Sequence, residues 1–282
     1  MRSWLFVPGD SERKIQKALA SQADVVILDM EDSVALQNKQ AARAIVAGIL
    51  ADRPQTGAKV YVRVNALDTG LTLADLGVLS TSPPDGYMLP KSGSGQDVTQ
   101  FAKLAVTGVP IIAIVTETAA SLFNLGTYAK IKAPLSAMTW GSEDLSADLG
   151  AISARDDEGH LTDPYRLARS LCLIGARAAQ IEPVDSIYAN FRDTVGLERE
   201  CRAAVRDGFT GKMAIHPNQI APINQAFTPS LAAIDKAKRI IEAFTVSPDT
   251  GVIALDGQMF DLPHLKRAKK LLERAKLYEP AA

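Results

Sequence analysis

An α/β fold, a closed (β/α)8 TIM barrel with a short C-terminal helical extension, is the architecture that this chain of 282 residues predicts. Three observations predict it. Eight short apolar runs punctuate residues 4–215, helical stretches separate most of them, and the runs end on polar or charged residues. Alternating strand and helix, with crossovers of this length, favours parallel pairing, and eight such units close most simply into one barrel.

The elements follow in order. Trp4-Leu5-Phe6-Val7 is stopped by Pro8-Gly9, and a helix is expected over 11–21. The run 25–28 ends at Asp29 and leads to a helix over 39–51. The run 59–64 carries Arg63 before Asn65, and the run 86–89 ends at Pro90-Lys91. Ser92-Gly93-Ser94-Gly95 then reads as a flexible loop, before a helix over 98–105. The run 111–116 ends at Glu117, with a helix over 119–130 behind it. The run 137–140 passes through Gly141-Ser142-Glu143 to Asp144. A seventh strand is placed at 178–184, between helices over 164–176 and 197–207, although Glu182-Pro183 interrupts it. The eighth, 212–215, ends at His216. Such short continuous apolar runs are those of strands buried on both faces. The barrel is assigned to 1–230. The extension, 231–282, reads as a helix over 231–244, a break over 247–251, a strand over 252–255, the turn Asp256-Gly257 and a last helix over 263–277. It is too small to fold by itself and is expected to pack on the barrel or on a neighbouring subunit.

Composition narrows the function. Hydrophobic content of 47% and charged content of 22% suit a soluble globular protein, and a net charge of −1 carries no nucleic-acid footprint. Cys172 and Cys201 build no disulfide framework and no zinc motif, and both are expected in helices. The apolar stretch at the N-terminus is too short for a signal-peptide core, and no run approaches membrane-spanning length, so a cytoplasmic location is expected. With neither a GxGxxG loop nor a Walker motif, a nucleotide enzyme is disfavoured.

In a barrel the strand tips form the active-site rim. There Glu117 and Asp144 offer hard oxygen ligands on separate, nearby tips, which suits Mg²⁺, an ion that leaves positions open for substrate. The competing reading makes each a helix cap. Glu143, next to Asp144, should point to the opposite side if the strand persists. Arg63 presents a planar fork for a carboxylate or for an oxygen gaining charge; the alternative is a rim salt bridge to Glu31 or Asp32. Asp29, Glu31 and Asp32 place three acids within four residues, which is costly without cations. Glu31 and Asp32 are read as holding metal-bound water or Arg63, and Asp32 equally as a cap. Arg13 and Lys17, four apart, share one face of the first helix.

The chain also resembles the citrate lyase β-subunit-like branch of the HpcH/HpaI aldolase family. The matching segments are Arg2-Ser3-Trp4-Leu5-Phe6-Val7-Pro8-Gly9, Leu28-Asp29-Met30-Glu31-Asp32-Ser33-Val34 with Lys39 and Ala42-Arg43, Arg63-Val64-Asn65, and Pro90-Lys91. Glu117-Thr118-Ala119, Gly141-Ser142-Glu143-Asp144-Leu145, the stretch from Gly211 to Pro217 and Asp256-Gly257-Gln258-Met259-Phe260-Asp261 follow in the same order. The resemblance implies a (β/α)8 barrel, Mg²⁺ on Glu117 and Asp144, Arg63 as the substrate arginine, and coenzyme A phosphates near Arg13 and Lys17. It implies lysis or formation of a carbon–carbon bond in a 3-hydroxyacyl-CoA of malyl, citramalyl or citryl type, giving acetyl-CoA and a 2-oxo acid. It also implies a homotrimer in which Asp261, carried by the tail to a neighbour's barrel mouth, moves the proton at the acetyl carbon. The competing reading of Asp261 is an N-cap for the helix that begins near Pro263. His216 reads as pocket wall. Gln180 departs from the glycine of many relatives in the seventh strand and is expected to reshape that wall. Two alternatives are a metal-dependent pyruvate or oxaloacetate aldolase that needs no CoA, and a citrate lyase subunit acting on a thioester of an acyl carrier protein.

Overall fold

The computed structural model describes residues 1–53, 55–247 and 250–278. Eight parallel strands close a barrel in chain order: β1 (Ser3–Pro8), β2 (Val25–Asp29), β3 (Lys59–Arg63), β4 (Gly86–Leu89), β5 (Ile111–Ile114), β6 (Leu135–Thr139), β7 (Glu182–Asp185) and β8 (Gly211–Ala214), which pairs back onto β1. The crossovers carry α1 (Glu12–Leu19), α2 (Lys39–Ala51), α3 (Thr72–Leu79), α4 (Gly95–Leu104), α5 (Ala119–Leu122), α6 (Glu143–Leu149), α7 (Asp163–Ala178) and α8 (Thr194–Asp207), and α9 (Ile220–Phe227) follows β8. The expected barrel is therefore the observed one. Cys172 and Cys201 lie buried in α7 and α8.

Strand periodicity explains the core. Trp4, Val25, Ile27, Tyr61, Met88, Ile112, Ile114, Ala137, Val184 and Met213 form one buried cluster, and Val25/Ile27 and Ile112/Ile114 show its two-residue spacing. The intervening Leu5, Val26, Leu28, Val60 and Val62 are equally buried, because the opposite face of a parallel sheet is covered by helices. Tyr61 packs edge-on against Trp4, with ring centroids 5.2 Å apart. Its register partner is Gly86, where a Cβ would fall 2.2 Å from the Tyr61 ring. Only glycine fits opposite so large an inward ring.

Four expectations are corrected. The stretch 92–95 is not a flexible loop. Ser94 and Asp97 make a capping box on α4, the Gly93 N–H donates to Asp97 at 2.7 Å and the Gly95 N–H to Thr127 at 2.9 Å. The helix expected over 119–130 is α5 followed by a 3₁₀ segment, Leu125–Lys130. The helix α3 was not foreseen. The seventh strand begins only at Glu182: Ala178 ends α7, and Gln180 turns the chain with a left-handed φ of 59°. Gln180 thus occupies the helix exit at the entrance of β7, the barrel end opposite the rim, and does not shape the pocket wall. Glycine suits that position because it adopts left-handed φ without a Cβ penalty.

The chain divides into two compact units, Met1–Asn224 and Gln225–Ala282. In the second, Ser230 caps α10 (Leu231–Val246), its hydroxyl accepting the Ala233 N–H at 3.2 Å. The expected break at 247–251 includes Pro248 and Asp249, which lie outside the described residues. An antiparallel hairpin follows, β9 (Val252–Leu255) and β10 (Gln258–Asp261). Asp256 and Gly257 both adopt positive φ, 50° and 71°, as a two-residue hairpin turn with matching twist requires. The Arg239 fork grips Asp256 at 2.9 and 2.6 Å. Ala237, Ile240, Phe244, Ile253, Phe260 and Ala268 form this unit's own apolar cluster, with α11 (Leu262–Lys276) supplying Ala268. Among the described residues, no helix is long and apolar enough to cross a membrane.

Candidate active site

Register alone brings the first two groups together. Arg63 closes β3 directly beside Asp29, which closes β2. Arg63 donates from Nε and Nη2 to the two Asp29 oxygens, both at 2.7 Å, a bidentate pair almost wholly buried. Asp29 also accepts the N–H groups of Glu31 at 2.9 Å and Ser33 at 3.1 Å. Burial pushes its carboxyl up, but Arg63 and these hydrogen bonds outweigh burial and leave it below the usual range. Arg63 Nη1 lies 3.0 Å from Glu31 Oε2 and 3.9 Å from Asp32, and its guanidinium stands 4.9 Å over the Phe6 ring. Burial opposes its charge, yet Asp29, Glu31 and Asp32 hold it protonated, above its ordinary value. Of the two readings of Arg63, the rim bridge is present, chiefly to Asp29. The bridge also fixes the fork, and at most one N–H on each Nη remains for another partner.

The crowded acids are compensated as charge balance demands. Lys91 Nζ donates to Glu31 at 2.7 Å and lies 3.5 Å from Asp32 and 3.6 Å from Asp144. Burial nonetheless dominates at Glu31, whose carboxyl is raised. Lys39 braces the same loop, donating to the Met30 and Glu31 carbonyls and to Asn65 at 2.7–2.8 Å. Asn65 is held in turn by Asp75 from α3, which also takes Arg43 at 2.7 Å. Asp32, half exposed, joins this ion cluster; no cap is formed by its side chain, because Ala35 opens the next helical turn.

Glu117 follows β5 by three residues and is only 4% exposed. It caps nothing: Thr118 is the N-cap of α5. Its Oε2 accepts the Lys91 N–H at 2.5 Å, and Gly141 stands against its side chain, where a Cβ would come within 3.0 Å of Glu117 Cγ. Burial raises its carboxyl to about 8, with the Asp144 and Glu31 charges adding to the rise. Asp144 is not on a strand tip. The strand ends at Thr139, and Asp144 sits in the first turn of α6 behind Ser142, about one third exposed. Glu143 occupies the same turn, so the strand argument that turned it away fails, and it too lines the cavity.

Glu117, Asp144, Arg63, Asp32, Phe6 and Trp140 are among the residues lining one cavity of about 250 Å³ at the barrel mouth, whose apolar wall includes Ile187 and Met213. The structure thus gathers four of the expected site residues around one space, with Glu31 behind them through Arg63 and Lys91. Arg13 and Lys17 stand exposed on α1, along a shallow open groove with Glu12, Gln16 and Ala20. His216 is not pocket wall. It stacks on Phe191 at 4.8 Å, and its Nδ1 accepts the Asn218 N–H. Asp261 belongs to the C-terminal unit, where it is the N-cap of α11, with Pro263 in the first turn and His264 closing a capping box. The hydrogen bond from His264 holds its carboxyl below the usual range.

Three participants were not foreseen in these roles. Lys91 and Asp29 act through contacts distant in sequence, which periodicity does not report. Asp185, which closes β7, is buried and accepts Trp140 Nε1 at 2.8 Å, Arg169 Nε at 3.1 Å and Lys212 Nζ at 3.2 Å. It therefore steadies Trp140, a cavity residue, from behind. Its two cations overcome burial and keep its carboxyl low.

A family model described as HpcH/HpaI aldolase/citrate lyase matches residues 2–217, and one described as C–C bond lyase of the TIM-barrel fold matches 160–279. The chain is 34% identical to the mitochondrial citramalyl-CoA lyase of Mus musculus, covering 97% of this chain and 86% of that protein. It is 37% identical to a citrate lyase subunit beta-like protein of Mycobacterium tuberculosis, covering 96% and 94%. The crystal structure of CitE from Mycobacterium tuberculosis in complex with magnesium, acetoacetate and coenzyme A superposes with a TM-score of 0.84 at 36% identity, covering 98% of both chains.

Proposed function

The chain belongs to the HpcH/HpaI aldolase/citrate lyase family of carbon–carbon lyases, and from that premise we propose an Mg²⁺-dependent lyase that cleaves or forms a 3-hydroxyacyl-CoA, with acetyl-CoA and a 2-oxo acid as the other side of the reaction. One observation carries the proposal: Glu117 and Asp144 line the same small cavity as the pre-oriented Arg63 fork. The donor set fits a hard divalent cation. Glu117 is a buried carboxylate raised to about 8 in part by the Asp144 charge, which is the repulsion that a cation held by both would relieve. Glu117 and Asp144 would hold Mg²⁺. When bound, it supplies Lewis acidity toward the carbonyl of the 2-oxo acid and a template for its carboxylate.

Arg63 contributes positioning. Locked by Asp29, its remaining N–H donors meet the oxygen that gains charge as the carbon–carbon bond breaks, without reorganising at that moment. Phe6, Ile187 and Met213 give the same space an apolar wall. In the condensation direction Asp261, kept ionised by its His264 hydrogen bond, removes the proton from the acetyl carbon of the thioester. Arg13 and Lys17 offer their charges to the phosphates of CoA.

The direct test incubates acetyl-CoA and Mg²⁺ with glyoxylate, pyruvate or oxaloacetate and assays for a 3-hydroxyacyl-CoA. Condensation with one of them is expected. Turnover of free pyruvate or oxaloacetate with none of any thioester would replace this reading by a CoA-independent aldolase; turnover only of a carrier-protein thioester would make the chain a citrate lyase subunit.

Asp261 has a separate test, on the reading that the tail serves a neighbouring subunit in a ring-closed homotrimer. Asp261→Ala and Glu117→Ala should each be nearly inactive, and mixing them under conditions of subunit exchange should restore part of the activity, since some sites then pair an intact barrel with an intact tail. If exchange is demonstrated and no activity returns, Asp261 does not act across subunits.

A further inference from the structure

Among the described residues three non-glycines adopt positive φ, and two of them, Gln180 and Asp256, lie in turns that require it. The third is Lys91, at φ 51°, on the exit from β4. A left-handed lysine costs roughly 1–2 kcal/mol of backbone strain, and such strain persists where surrounding structure enforces it. Here the strained conformation directs two different atoms of one residue at the two carboxylates already assigned to the metal. The backbone N–H donates to Glu117, and the ammonium stands 3.6 Å from Asp144 while donating to Glu31 and lying 3.5 Å from Asp32.

Lys39 shows the contrast. Its ammonium is consumed by three neutral carbonyl oxygens at 2.7–2.8 Å and acts as a strut. Each partner of the Lys91 ammonium is instead a carboxylate, only one of them is close, and the side chain is one third exposed. A compact charge on a flexible four-carbon stem, loosely shared among three acids, behaves as a counter-ion.

We propose that the Lys91 ammonium is a tethered counter-ion that competes with the divalent cation for Asp144, holding the acid cluster together in the metal-free protein and lowering its affinity for metal. The inference rests on the Glu117–Asp144 metal site proposed above. A monovalent charge beside a site for a divalent one repels it, and at effective dielectric constants near 20 the repulsion amounts to at least ~10-fold in affinity.

Two variants isolate the ammonium. Lys91→Gly adopts the left-handed backbone without strain and retains the N–H donated to Glu117. Lys91→Met keeps the stem and discards only the charge. The dissociation constant for Mg²⁺ is measured by titration calorimetry on the metal-free full chain, with Glu117→Ala as reference. Both Lys91 variants are expected to bind at least ~10-fold more tightly than the parent. Metal-free Lys91→Met should melt below the metal-free parent, and saturating Mg²⁺ should narrow that gap. If Glu117→Ala loses Mg²⁺ binding but both Lys91 variants bind with unchanged or weaker affinity, the counter-ion role is wrong and the metal site stands. If Glu117→Ala binds as the parent does, the site assignment itself falls, and this inference with it.

Discussion

Glu117→Ala and Asp144→Ala should each reduce turnover by about 10³-fold or more, because a Lewis-acid contribution of several kcal/mol converts at 1.36 kcal/mol per tenfold. Both variants should remain folded. Asp144 is one third exposed in the first turn of α6, and the Glu117 carboxyl is one that the protein buries at a cost. The sign of that cost follows from its titration. The folded value, about 8, lies above the ordinary 4.5, so the folded state binds the proton more tightly across that interval. Glu117 therefore stabilises the metal-free fold fully below about pH 4.5, and that contribution is lost as pH rises through about 8. Melting temperatures measured in chelator should decline over this window for the parent, with a shallower decline for Glu117→Ala. Parent-like turnover by either alanine variant, or activity indifferent to chelator, would overturn the metal assignment.

The barrel was legible because parallel strands buried on both faces leave an unmistakable trace, short apolar runs stopped by charges. Arg63 and Glu117 were legible for the same reason, since each ends or closely follows such a run, whereas Asp29 was legible as a strand-end acid but not as the anchor of Arg63. Reading failed where local pattern and tertiary role diverge. Residues 178–184 mimic a strand, yet Ala178 still belongs to α7, whose buried face includes Ala168, Cys172 and Ala176, and the chain reverses at Gln180 before β7 starts. The helix α3 buries Leu76 and Leu79 together with the polar Asp75, so its composition offers no clean apolar stripe. The 137–144 stretch reads as one run closed by Asp144, but β6 ends at Thr139 and Asp144 is delivered by a helix. Lys91 was visible only as a polar tip, because its role depends on Glu31 and Asp32, Glu117, and Asp144 converging from three other places in the chain.

Arg63→Lys preserves charge and is nevertheless expected to lower turnover by at least ~10²-fold, the order found on removing one preorganised oxyanion donor. The guanidinium serves several partners at once: two parallel bonds to Asp29, an ion pair at 3.0 Å to Glu31 and a seat over Phe6. An ammonium offers three donors from a single point and cannot reproduce the parallel pair while also reaching the cavity. If it turns toward Asp29, the reacting oxygen loses its donor. If it turns toward the cavity, a buried carboxylate loses its closest cation, a defect worth about 3–5 kcal/mol when a buried pair is broken. The two outcomes separate experimentally. The first lowers turnover at an unchanged melting temperature, and the second lowers both. Asp29→Asn supplies the control, leaving the guanidinium in place but weakening its anchor, so it should lose less activity than Arg63→Lys. A lysine variant within a few-fold of the parent would reduce Arg63 to a structural bridge on the barrel rim.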